Sequence, residues 1–174
     1  MQKTGWTLAA VFAAALGLAA LVPAASGTSG GETFDVTLVV SGAGGGRDVI
    51  AAVVVAKGVF SGNGRLVEVP NLPGDPDNVN RDDLVFAEGT LHLLGTLTGF
   101  TGSVSPQSCR GTVTIVADEE VVGGSGRFAS ASGSFASTLN GKGSGARNPD
   151  GSCALDRPPL HEEDKIELVG TLTF

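Results

Sequence analysis

The sequence predicts an all-β domain, closed as an antiparallel barrel, and three observations carry that prediction. Apolar and polar residues alternate with a period near two in segment after segment, as half-buried strands require. Clusters of Gly, Asn, Asp and Pro separate these segments, and nothing beyond residue 26 sustains a helical period. Strands stand at both ends of the domain, so the first can pair with the last and leave no open edge. That last point favours a barrel over a sandwich.

In chain order, residues 34–40 alternate cleanly and are followed by a glycine turn at 41–46. Residues 49–55 form a β-branched run extending to about Phe60. Ser61-Gly62-Asn63-Gly64 reads as a hairpin turn, because Asn and Gly tolerate positive φ. The chain returns over 65–69. Residues 70–83, with three prolines and several Asn and Asp, read as successive turns in a solvated loop. Strand character resumes over 84–97, where Gly89 and Gly95 mark bulges or bends. Residues 111–122 form a further strand, Gly123-Gly124-Ser125-Gly126 a turn, and 133–139 a short strand. A loop over 141–163 leads to the last strand, 165–174, with Ile166, Leu168, Leu172 and Phe174 on one face. The total is seven or eight strands.

Ahead of this domain the chain has the anatomy of a secretory signal. Lys3 supplies the positive start, an apolar run of roughly 17 residues follows from Trp6, and Pro23-Ala24-Ala25-Ser26-Gly27 offers small residues for cleavage. A membrane-spanning helix needs about 20 apolar residues, so a cleaved signal is preferred to an anchor. Cleavage after Ala25, Ser26 or Gly27 fits equally well. The expected organisation is a signal peptide at 1–26, a flexible leader at 27–32 and the barrel at 33–174, in a secreted protein with no membrane association after cleavage.

The formal charge of the 174-residue chain is −7, and loss of Lys3 takes it to near −8. Nucleic acid is thereby excluded as a partner, since phosphate neutralisation needs clustered Lys and Arg. The two cysteines, Cys109 and Cys153, are expected to form one disulfide in an oxidising compartment. The loop it closes, about 44 residues, corresponds to roughly 4 kcal/mol in the chain-entropy account. A free nucleophilic Cys with a His partner is the disfavoured alternative.

Candidates for chemistry are few. The acidic stretch 75–83 resembles a calcium loop only superficially, because Val79 takes a ligand position and Asn80 the place of the sharp-turn Gly. Glu88 and His92 share a strand face by the period of two and are the only candidates for acid–base work. They stand roughly 13 Å apart along a strand and cannot pair directly. The surface reading is preferred, because Val85, Leu91 and Leu93 on the opposite face make the better core set. His161 belongs to an acidic loop. No nucleophile elbow, zinc spacing, phosphate loop or cofactor motif is present in the sequence.

Residues 121–135, Val-Val-Gly-Gly-Ser-Gly-Arg-Phe-Ala-Ser-Ala-Ser-Gly-Ser-Phe, resemble the GG-Ser/Thr-G-x-F-x-x-A-x-G signature of the allene oxide cyclase and dirigent barrels. Residues 78–91, Asn-Val-Asn-Arg-Asp-Asp-Leu-Val-Phe-Ala-Glu-Gly-Thr-Leu, look like a stretch of exported actinobacterial proteins in the barrel-like branch of that superfamily. The resemblance implies an eight-stranded antiparallel barrel with a largely apolar cavity. Members of the family isomerise an unstable epoxide or steer the coupling of phenoxy radicals, in both cases by holding a hydrophobic substrate in shape. The matching motif shapes a turn and contains none of their pocket residues, so no catalytic residue carries over. Two functional expectations follow. In one, the barrel binds a small apolar molecule and steers its cyclisation or coupling. In the other, it is a filled, non-catalytic binding or structural module.

Overall fold

Eight strands alternate between an apolar inner face and a polar outer one. They are β1 (Ser29–Ser41), β2 (Asp48–Gly58), β3 (Gly62–Val69), β4 (Val79–Phe86), β5 (Gly89–Val104), β6 (Arg110–Gly126), β7 (Ser132–Ser144) and β8 (His161–Thr173). The computed structural model describes residues 27–42 and 46–174. The expected signal at 1–26 and part of the glycine turn at 41–46 lie outside the described residues. Each strand pairs antiparallel with the next, and β8 returns to β1, closing a single up-and-down barrel. The expected pairing of first with last strand runs from Ser29↔Thr173 to Ser41↔His161. No helix among the described residues is long and apolar enough to cross a membrane.

The structure corrects several boundaries. The leader expected over 27–32 is shorter, because β1 already pairs with β8 from Ser29. The polar stretch 70–83 ends early: β4 begins at Val79 and zips onto β5 as far as Phe86↔Gly89. The single strand expected over 84–97 is therefore two, joined by a tight turn at Ala87-Glu88. That turn restarts the alternation, so Leu84 and Phe86 enter the core while Val85, expected there, faces outward.

The glycine motif also changes role. Residues 123–126 continue β6, pairing with β5 from Gly123↔His92 to Gly126↔Gly89, and the turn falls on the residues that follow. Gly126 takes φ 59, and a Cβ there would meet the Glu88 carbonyl oxygen at 2.3 Å, so the close strand approach requires glycine. The loop expected at 141–163 shrinks at both ends, with β7 reaching Ser144 and β8 starting at His161.

One end of the barrel is sealed by aromatic side chains. Phe60 packs edge-on against Phe86 and Phe128, with ring centroids 4.9 and 5.1 Å apart, and Phe128 against Phe174 at 5.3 Å. Arg127 lies over the Phe174 and Phe60 rings at 4.8 and 5.6 Å, covering the plug with a cation–π contact. Phe34 and Phe135 continue the packing inward, 5.2 Å apart. Buried Glu32 fastens the β2–β3 turn to this end by accepting the Phe60 backbone N–H at 2.8 Å. The aromatic filling is therefore concentrated in one half of the barrel.

Candidate functional site

At the opposite end a cavity of about 390 Å³ opens among the strands. An eight-stranded barrel encloses space for its own side chains or for one small ligand, and here side chains fill one end and leave the other open. The cavity floor is apolar: Leu38, Leu66, Leu84, Leu93, Ala117 and Leu168 are all buried. Each is placed there by the period of two, in phase with the residues that fill the sealed end.

Above this floor the same inward-facing rows carry acids. Asp82 on β4, in phase with Leu84 and Phe86, lines the cavity, as do Glu119 on β6 and Asp164 on β8. Glu119 is 8% exposed and Asp164 2%. Glu119 Oε2 and Asp164 Oδ1 are buried without a hydrogen-bond partner. Space for both carboxyl groups comes from glycines directly across the ladder. Glu119 faces Gly95, where a Cβ would fall 2.7 Å from Oε2; Asp164 faces Gly141, where a Cβ would fall 2.4 Å from Oδ1. Gly95 thus serves as a cradle for an acid in this structure.

Burial raises the proton affinity of all three groups. Glu119 is pushed up to about 7 by desolvation, helped by the charge of Asp82. Asp82 rises to about 6, again by desolvation, with Glu68 and Asp83 adding repulsion while the Asn80 amide, donating at 2.6 Å, opposes it. Asp164 rises to about 6 by desolvation, with Glu162 and Glu68 raising it and Arg47 lowering it. The two arginines on the cavity wall are engaged elsewhere. Arg47 donates to both oxygens of Glu68 at 2.7 and 2.5 Å, and Arg81 grips Asp75 through two bonds at 2.7 and 3.1 Å.

The residues singled out from sequence fall elsewhere. His92 is on the outer face of β5, its Nδ1 2.6 Å from Asp83 Oδ1. Glu88 is exposed in the β4–β5 turn, and neither residue lines the cavity. Cys109 and Cys153 form the expected disulfide, with S–S 2.01 Å and Cα atoms 5.4 Å apart. It ties the β5–β6 turn to the β7–β8 loop at the cavity end of the barrel. The acidic stretch 75–83 splits its carboxylates: Asp75 holds Arg81 and Asp83 holds His92, while Asp82, read as part of a solvated loop, turns into the barrel.

The three cavity acids escaped the sequence reading, although a signal existed. Glu119 keeps phase with Ile115, Ala117 and Val121, and Asp164 with Ile166 and Leu168, so each is a charge on an apolar row. Among the described residues, no three acids, histidines or cysteines converge closely enough to hold a metal ion. No family model matches the chain, and neither a curated protein nor a solved structure does.

Proposed function

We propose that this chain is an exported barrel that binds a small apolar molecule in its open end. The observation that carries this reading is the half-filled interior, in which a cavity of about 390 Å³ is floored by leucines while the other end is packed with phenylalanine. Concave apolar sites with a few polar groups at one side are the usual form of small-molecule sites. The filled-module alternative has less support, because a filled barrel has no use for a leucine-floored void. Export is supported by the signal anatomy of residues 1–26 together with the Cys109–Cys153 bridge. Holding a flexible apolar chain in one shape is what steering a cyclisation or coupling requires, and the resemblance to the allene oxide cyclase and dirigent barrels points the same way.

The test uses secreted protein and the neutral dye Nile red. Dye fluorescence should rise on binding, and apolar molecules from a broad metabolite panel should displace it and raise the melting temperature. Ala117→Phe, which fills the floor, should abolish the response without changing the far-ultraviolet circular dichroism of the barrel. A wild-type protein that neither binds the dye nor responds to the panel would overturn the reading.

A further inference from the structure

We propose that the molecule taken by this cavity is an organic cation, its apolar body on the leucine floor and its protonated amine drawn into the acidic zone that Asp82, Glu119 and Asp164 line. The inference rests on the apolar-ligand reading and adds to it the chemical class of the ligand.

The argument begins with charge. Seven charged side chains line the cavity, and the two arginines among them are already paired, Arg47 with Glu68 and Arg81 with Asp75. Asp77 is the remaining acid at the rim. Among the described residues the three interior acids have no basic side chain in an ion pair with them and one side-chain hydrogen bond, from Asn80 to Asp82. Two of them are more than nine-tenths buried and present an unpartnered oxygen in a group lining the cavity. Such an orphaned acceptor is a loss that a ligand donor would recover. An ammonium group brings three donors and the opposite charge, so it answers both deficits together. An anionic ligand would meet like charge.

A compact metal ion fits less well. No three such groups among the described residues are close enough to chelate one, and the leucine floor beneath them offers such an ion nothing. An extended amphiphile spans the two zones. The glycines opposite Glu119 and Asp164 keep space free for the acids at a depth that an alanine would close. The groups facing these acids also set the pH response. Burial above all favours protonation, with Asp82 adding to it at Glu119 and Glu68, Asp83 and Glu162 at the other two; Asn80 and Arg47 oppose it, and the cavity becomes more anionic as the pH rises through about 6 to 7.

Calorimetry with matched probes tests the assignment on intact secreted protein. At pH 8, 4-phenylbutylamine should bind at least tenfold more tightly than 4-phenylbutan-1-ol, and 4-phenylbutyrate more weakly than either. At pH 5 the advantage of the amine over the alcohol should shrink severalfold, while the alcohol's own affinity stays level. Glu119→Gln and Asp164→Asn should each weaken the amine about tenfold at pH 8, far more than they change the alcohol, with the far-ultraviolet circular dichroism of the barrel retained; a loss equal for amine and alcohol would overturn the assignment. If amine and alcohol bind equally at pH 8, the cation assignment is overturned and the apolar pocket stands. If none of the probes binds and the Nile red assay is also silent, the pocket reading falls as well.

Discussion

Glu119 on β6 stands directly opposite Gly95 on β5, and the space a Cβ would take at Gly95 is occupied by the Glu119 carboxyl group, with Oε2 at 2.7 Å and Oε1 at 2.8 Å. Asn80 crowds the same point from β4, its Oδ1 at 2.3 Å. The glycine is therefore a condition for an acid inside the barrel, set by the register of three strands.

Gly95→Ala is expected to destabilise the protein by about 1–3 kcal/mol, the ordinary cost of overpacking. Part of that loss should disappear in the background of Glu119→Ala, which removes the carboxyl group and leaves only the Asn80 amide against the added methyl. Urea denaturation of the four proteins in the cycle measures the coupling. Strictly additive losses would mean that the carboxyl group moves aside without cost and that the glycine has another purpose.

Stability should depend on pH through the same group. Burial holds Glu119 at about 7 in the folded protein against an ordinary value of 4.5. The folded state therefore keeps a proton that the unfolded chain releases first. This contribution is complete below the unfolded value and is lost as the pH rises through the folded one. Asp82 and Asp164, raised to about 6, act in the same direction over a lower window. Glu119→Gln should stabilise the protein at pH 8 by on the order of 2 kcal/mol, and the gain should vanish near pH 4. A gain of equal size at both pH values would point to better packing by the amide instead.

Removal of the disulfide should cost up to roughly 4 kcal/mol, the chain-entropy value for a loop of this length. The paired substitution Cys109→Ser with Cys153→Ser, compared with wild type in guanidinium, gives the number. Thiol labelling of unreduced wild type should find neither cysteine reactive, because the two are bonded to each other. Labelling at either position would contradict the bridge. Since it joins the β5–β6 turn to the β7–β8 loop beside the cavity, the double variant should also show faster amide exchange in those two segments than in the phenylalanine plug.

By itself, the sequence determined that this chain makes strands, roughly where they lie, and that its two cysteines pair. Those properties are local, or in the case of the cysteines fixed by there being two of them. Leu168 and Leu172 are buried on the face that alternation predicted, and the first and last strands close the barrel as the terminal placement suggested. The period of two also held the clue to the acids, since Glu119 and Asp164 each interrupt an apolar row. Only the tertiary structure decided what that clue meant. Alternation says that two residues share a face; it does not say at what depth, or what stands across the ladder. Asp82 lay in a polar stretch until its pairing with β5 carried β4 back to Val79 and turned it inward. Barrel closure then brought one acid from each of β4, β6 and β8 to a single cavity, two of them, Glu119 and Asp164, opposite glycines that leave them room. Register and closure are long-range properties, and the acid-lined cavity of this protein is made from them.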